Sequence, residues 1–198
     1  IYLGIIKAGC VVVSIADSFA ANEIAVRLRI TQAKAIFTQD YIQRGSKQLP
    51  LYTKVIDADA PKAVVLSLDT SVSGTLRSSD LAWQKFLSSN ERFDAVVTTP
   101  EAYTNILFSS GTTGEPKAIP WTQTTPLKCA VDGHLHQDIH PGDVVAWSSN
   151  LGWMMGPWLI YASLINRATI ALYYDAPTER GFGQFVQAAR VNMLGVVP

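Results

Sequence analysis

Positions 105 to 117 read NILFSSGTTGEPK, an apolar run followed at once by hydroxyl-bearing residues, two glycines and a lysine. The apolar run predicts a buried strand, and similar short runs recur along the chain with helix-like segments between them. This rhythm indicates an α/β sheet. The predicted strands are residues 11–15, 35–38, 54–56, 63–66, 105–108, 144–147, 169–173 and 194–197. The predicted helices are residues 1–9, 22–31, 41–48, 80–88, 122–136, 153–164 and 178–191.

Residues 22–31 are ambiguous by pattern alone. Ile24, Val26 and Leu28 alternate with polar or small residues, which is the period of a strand. A helix is favoured because Asn22 can serve as an N-cap and because two buried parallel strands need a crossover between them. We therefore predict a helix in this segment.

The residues after the strand at 105–108 form a candidate phosphate-binding loop. Its members are Ser109, Ser110, Gly111, Thr112, Thr113, Gly114 and Lys117. Backbone N–H groups of consecutive turn residues form an anion-binding nest, the hydroxyls add hydrogen bonds, and the lysine supplies a mobile positive charge. The loop is not a Walker A loop, because Gly-Lys-Ser/Thr is absent. A solvated turn between two strands is the alternative that composition alone favours.

The order of residues in SSGTTGEPK, positions 109 to 117, strongly resembles the signature loop of the adenylate-forming superfamily of AMP-dependent synthetases and ligases. That superfamily includes acyl-CoA synthetases, luciferases and peptide-synthetase adenylation domains. Its members usually have glycine after the lysine, whereas this chain has Ala118. The resemblance implies a layered, mostly parallel sheet with flanking helices, as part of the large N-terminal domain of such an enzyme.

The same resemblance implies a function. ATP and a carboxylic acid would give an acyl-adenylate, with Mg²⁺ at the phosphates, and CoA would then accept the acyl group. Residues 1–198 would be an interior part of the N-terminal AMP-binding domain, inactive alone and lacking the C-terminal domain. The alternative is a non-catalytic nucleotide-binding or interaction module that keeps the phosphate loop.

A second block, GDVVAWSSNLGWMMGPW at positions 142 to 158, is similar to the segment after the loop in acetyl-CoA-synthetase-like members. In those members a strand leads into Gly-Trp at the start of a helix that lines the acyl pocket. The resemblance implies that Trp153, Met154 and Met155 approach the carboxylate substrate. The alternative is that these large side chains fill the core.

A third block, QDYIQRGSK at positions 39 to 47, is similar to a short basic turn of the same branch. Two basic residues of that turn contact a phosphate of CoA, which corresponds here to Arg44 and Lys47. Two cations three positions apart can bracket a phosphate. Solvated surface charge is the alternative.

The composition limits the classes of partner. Sixteen basic and sixteen acidic side chains cancel, so no overall field favours nucleic acid or an anionic membrane. The apolar runs are shorter than the roughly 20 residues that span a bilayer. Cys10 and Cys129 lie far apart in apolar surroundings, which predicts buried, reduced thiols and an intracellular protein, cytoplasmic or peroxisomal.

Two other readings are disfavoured. His134, His136 and His140 are the only histidines, but the first two would point to different faces of a helix and no cysteine or carboxylate set completes a metal site. Neither Ser109 nor Ser110 lies in a Gly-x-Ser-x-Gly elbow, so a hydrolase is not expected.

Overall fold

A computed structural model describes residues 1–109, 114–178 and 180–196 of the chain. Within these ranges the helices are α1 (Tyr2–Lys7), α2 (Ala21–Thr31), α3 (Leu51–Asp57), α4 (Trp83–Phe86), α5 (Thr125–Gln137), α6 (Met155–Ile165) and α7 (Arg180–Ala188). The strands are β1 (Val12–Val13), β2 (Ile36–Gln39), β3 (Tyr41–Arg44), β4 (Lys47–Pro50), β5 (Ala63–Leu66), β6 (Leu81–Ala82), β7 (Tyr103–Ser109), β8 (Lys117–Thr122), β9 (Val144–Trp147), β10 (Thr169–Ile170) and β11 (Met193–Gly195).

Most of the strand pairing is parallel. The strand orders are β2-β5-β6 and β10-β9-β11 in two all-parallel sheets, and β1-β7-β8 in a third. In the third sheet β1 is parallel to β7, whereas β8 is antiparallel to it. The predicted α/β class with a mostly parallel sheet is therefore confirmed.

Helix α2 resolves the ambiguity in its segment. Ile24, Arg27 and Leu28 are buried, and this i, i+3, i+4 spacing is one face of a helix. The helix begins after Ala20 rather than at Asn22, because the Glu23 carboxylate accepts the Ala20 N–H at 3.0 Å. The prediction of a helix is confirmed and that of an Asn22 cap is wrong.

Two predicted elements have the opposite type. Residues 41–48, predicted as a helix, contribute to the antiparallel β3–β4 hairpin, in which Arg44 is paired with Lys47. Residues 54–56, predicted as a strand, lie in α3. Its Tyr52 and Val55 are both buried at i, i+3, so the core selects a helix where the short apolar run suggested a strand.

Two further elements differ from expectation. Residues 80–88 hold the short strand β6 and the single turn α4 instead of one helix. Strand β8 was not predicted. It contains Pro120 and lies at the edge of its sheet, the position where a strand tolerates a missing N–H donor.

Two apolar cores hold the layers together. The first is built mainly by α5, α6 and β9, and the second by α2, α3 and β5. Cys129 lies in the first core, and its burial raises the pKa of the thiol to about 11. Cys10 is exposed, so the expectation of two buried thiols is wrong for this residue. No helix in the described part of the chain is long and apolar enough to cross a membrane.

Candidate functional site

The candidate phosphate loop connects the two strands of a hairpin. Ser109 is the last residue of β7, Lys117 is the first of β8, and the two are register partners. Gly114 has a φ of +96°, a conformation that residues with a Cβ rarely adopt. Ser110, Gly111, Thr112 and Thr113 lie outside the described residues. The predicted strand before the loop is confirmed, and a strand also follows it.

An ion pair ties this loop to helix α2. Arg29 donates to the Glu115 carboxylate at 2.7 Å, and both side chains are exposed. The contact joins the last turn of α2 to the residue two positions before Lys117. Sequence reasoning missed the pair because 86 residues separate its members.

A second arginine of α2 lies beneath the strand that leads into the loop. Arg27 is only 7% exposed, and its guanidinium lies 3.9 Å from the Phe19 ring centroid and 5.4 Å from that of Phe108. One of its N–H groups donates to the Glu23 carbonyl at 2.8 Å. Burial lowers the pKa of Arg27, and the aromatic faces compensate part of the lost hydration.

The three residues of the predicted acyl pocket have different surroundings. Trp153 and Met154 precede α6 and are exposed, at 48% and 58% of their full surface. Met155 is the first residue of α6 and packs against the first core. Met155 therefore contributes to the core and the two preceding side chains are exposed, and the acyl-pocket role of all three residues stays a prediction.

The backbone before Trp153 packs tightly. A Cβ on Gly152 would lie 2.2 Å from the Ala16 nitrogen, so only glycine fits there. The Trp153 ring meets the Phe19 ring edge to face with centroids 5.8 Å apart. The segment that holds Trp153 is therefore set against the loop between β1 and α2.

The predicted CoA-binding residues lie on the β3–β4 hairpin. Arg44 donates to the Asp17 carboxylate at 3.1 Å and to the Tyr174 carbonyl. Lys47 is exposed beside it. The Gly45 N–H at the turn donates to the Asp175 carboxylate at 3.1 Å. The N–H groups of Ala176 and Gly45 lower the pKa of Asp175.

Residues 14–20, which we call the central loop, contact the β3–β4 hairpin, the segment that holds Trp153, and β7, the strand that leads into the candidate phosphate loop. The Ser14 hydroxyl donates at 2.8 Å to Asn105, a fully buried residue of β7. Asp17 contacts Arg44 of the hairpin and, at 3.2 Å, the side-chain amide of Asn150. Phe19 contacts Trp153. No sequence motif marked the central loop, so the reasoning from sequence did not find it.

Two of the three histidines lie close together, with the His134 and His140 rings edge to face and their centroids 4.8 Å apart. The His140 ring faces the Asp138 carboxylate at 2.8 Å, and His134 faces the Ile139 carbonyl at 3.1 Å. Across the described ranges no three His, Cys, Asp or Glu side chains are grouped as metal ligands.

Comparisons with known proteins identify relatives of this chain. The chain is 59% identical to the hexanoyl-CoA synthase of Cannabis sativa and 56% identical to the probable acyl-activating enzyme 17, peroxisomal, of Arabidopsis thaliana. Each match covers the whole chain but 28% of the relative, so the chain spans less than a third of the length of these proteins.

The fold also matches a solved structure. The acetoacetyl-CoA synthetase of Streptomyces lividans superposes with a TM-score of 0.86 over 98% of this chain and 31% of its own length, at 24% identity. The family model of the AMP-binding enzymes matches residues 1–198. On this evidence the chain belongs to the AMP-binding enzyme family.

Proposed function

We propose that the full-length protein containing this chain is an acyl-CoA synthetase, with residues 1–198 as part of its N-terminal AMP-binding domain and the C-terminal domain outside the chain. The observation that carries the proposal is the β7–β8 hairpin, in which the paired residues Ser109 and Lys117 close the phosphate loop. Loop N–H groups and hydroxyls anchored at both ends favour close binding of a polyphosphate. The relatives are named as a hexanoyl-CoA synthase and a probable acyl-activating enzyme, which favours this function over a non-catalytic nucleotide-binding module.

The reaction has two steps. A carboxylate oxygen of the acid attacks the α-phosphorus of ATP, the bond to the bridging oxygen breaks, and pyrophosphate leaves with that electron pair. The thiolate sulfur of CoA then attacks the acyl carbonyl carbon, and AMP leaves. Lys117 and the loop hydroxyls stabilise the charge that develops on the leaving pyrophosphate, a contribution that grows towards the transition state.

Magnesium neutralises phosphate charge when it accompanies ATP. In the described part of the loop the Glu115 carboxylate forms an exposed ion pair with Arg29. We infer that the ion would accompany ATP as Mg–ATP.

The other two candidate sites would bind the acyl group and CoA. Trp153, Met154 and Met155 border the acyl group, and the exposed faces of the first two supply its apolar contacts. Arg44 and Lys47 bind a phosphate of CoA from the tip of the β3–β4 hairpin. The Arg44 side chain is 38% exposed, so a phosphate can compete with Asp17 and Tyr174 for its donors.

The names of the relatives support inferences about the substrate and the compartment. We infer an aliphatic carboxylate, with hexanoate as the first candidate, because the hexanoyl-CoA synthase is 59% identical over the whole chain. We infer an intracellular enzyme, cytoplasmic or peroxisomal, because two relatives are named peroxisomal.

Pyrophosphate exchange tests the proposal. The full-length protein should exchange labelled pyrophosphate into ATP when acetate, butyrate or hexanoate is present, and it should form acyl-CoA when CoA is added. Asp132→Asn is a control that should leave exchange unchanged, because Asp132 is paired with Lys128 within α5 and lies outside the three candidate sites. No exchange with any acid, in protein that is folded, would overturn the proposed function.

A further inference from the structure

One carboxylate joins the two candidate substrate sites. Asp17 accepts a hydrogen bond from Arg44 on one oxygen, at 3.1 Å, and from the Asn150 amide on the other, at 3.2 Å. The Asn150 side-chain oxygen in turn accepts the N–H of Gly152 at 2.9 Å. A continuous path of three hydrogen bonds therefore runs from the β3–β4 hairpin to the residue before Trp153.

Asp17 itself is held in place. The Lys54 ammonium group donates to the backbone carbonyls of Asp17 and Phe19, at 2.9 Å and 3.0 Å. Gly152 lies against the backbone of Ala16 with no room for a Cβ. The backbone around Asp17 is therefore fixed on both sides. A movement of Arg44 changes the hydrogen bond between Asp17 and Asn150 and does not displace the loop.

The contact between Asp17 and Arg44 is of a kind that a ligand can change. It is a single hydrogen-bonded contact between side chains that are 26% and 38% exposed, not a bidentate buried pair. A phosphate at the hairpin carries more negative charge than one carboxylate and competes for the same guanidinium. When Arg44 turns towards the phosphate, Asp17 loses a partner on one oxygen and its hold on Asn150 changes.

We propose that Asp17 is a positioning residue that couples occupation of the hairpin by a phosphate of CoA to the placement of Trp153 beside the acyl group. This inference rests on the proposed function, because it uses Arg44 and Lys47 as the CoA contact and Trp153 as an acyl contact. It adds that the two sites respond to each other through one named carboxylate.

The test uses pyrophosphate exchange in the full-length enzyme, which proceeds without acyl transfer. The ratio of specificity constants for hexanoate and acetate is measured with and without desulfo-CoA, an analogue that lacks the thiol. In the unaltered enzyme the analogue should shift the ratio on the order of fivefold, at the lower end of typical coupling between sites. Asp17→Asn should abolish the shift while exchange continues.

Two variants separate positioning from a structural role. Asn150→Ala breaks the path beyond Asp17, so it should leave desulfo-CoA binding unchanged and still abolish the shift. Arg44→Ala should weaken analogue binding itself. If Asp17 had only a structural role, Asp17→Asn would change the exchange rate by the same factor for both acids, and desulfo-CoA would still shift their ratio.

The outcomes are distinguishable from a failure of the proposed function. Loss of exchange in the unaltered enzyme counts against acyl activation. The coupling role alone is overturned if the active enzyme has the same ratio of specificity constants with and without desulfo-CoA. It is also overturned if the Asp17→Asn variant keeps the full shift. A shift that survives Arg44→Ala overturns it as well.

Discussion

Ser109 and Lys117 face each other as register partners across the β7–β8 hairpin, so the candidate phosphate loop is closed at its base by strand pairing. The lysine therefore starts from a fixed backbone position even though its side chain is exposed. A fixed backbone limits the space that the ammonium group must search when charge develops on a phosphate, which favours electrostatic catalysis.

The first prediction concerns this lysine. Lys117→Ala should lower the rate of pyrophosphate exchange about a hundredfold or more, because one preorganised contact to the phosphates is lost. Its side chain is exposed, so the free energy of unfolding should change by less than about 0.5 kcal/mol. Exchange kinetics and urea denaturation of the same preparation check both parts. Normal exchange in this variant would remove Lys117 from the phosphate site.

A second prediction separates strain from function at Gly114. Gly114 and Gly142 have φ angles of +96° and +92°, and at neither does a described residue place an atom within 4 Å of the Cβ position. Gly114→Val and Gly142→Val should therefore each cost about 1–3 kcal/mol of stability from backbone strain. Only Gly114→Val should also lower the exchange rate of the folded protein. Equal activity losses in the two variants would indicate that strain alone is responsible.

The acyl block gives a third prediction. Met154→Ala and Met155→Ala should both favour longer carboxylates, measured as specificity constants for acetate, butyrate and hexanoate, because one methylene in an apolar pocket changes discrimination by about 1–3 kcal/mol. Only Met155→Ala should also lower stability, by about 2 kcal/mol, because Met155 packs against the first core and Met154 is exposed. An unchanged order of acids in both variants would assign the block to packing.

A fourth prediction concerns pH and the buried Asp80. Burial alone would raise the pKa of this carboxyl, but hydrogen bonds from Arg77, the Ala63 N–H, Tyr52 and Ser79 outweigh it and lower the pKa to about 2. A carboxyl with a lowered folded-state pKa stabilises the protein above its unfolded-state value. That contribution is lost as the pH falls through the folded-state pKa.

Asp80→Asn should therefore cost about 2 kcal/mol of unfolding free energy near neutral pH, from a pKa difference of nearly two units. The difference from the unaltered protein should shrink as the pH falls from about 4 towards about 2. Urea denaturation across that range measures it. The Asp132→Asn variant, at a partly exposed carboxylate of α5, is the control, and a pH-independent cost at Asp80 would contradict the assignment.

The local sequence pattern predicted strands correctly where neighbouring residues share the same environment. Strands β5 and β9 match the predicted residues 63–66 and 144–147, because buried parallel strands are continuous apolar runs. The loop at 109–117 was likewise evident from the order of its residues. Its four central residues, 110–113, lie outside the described structure, so their part in the phosphate site stays a prediction.

The wrong secondary-structure predictions fall in short segments whose own residues favour neither helix nor strand strongly. Tyr41–Arg44 carries neither a helical stripe nor a long apolar run, and pairing with β4 decides its type. Tyr52 and Val55 are held in α3 by the second core. Strand β8 contains Pro120 and gains its strand geometry by pairing with β7.

The sequence by itself determined the α/β class and the family, and it predicts the residues of the phosphate loop, because these depend on neighbouring residues read in order. Only the tertiary structure decided that Asp17 lies between Arg44 and Asn150, which are 27 and 133 positions away from it. Chain folding brings such residues together through the packing of separate layers. A hydrogen bond between distant residues leaves no periodic pattern in the sequence, so no local pattern could predict it.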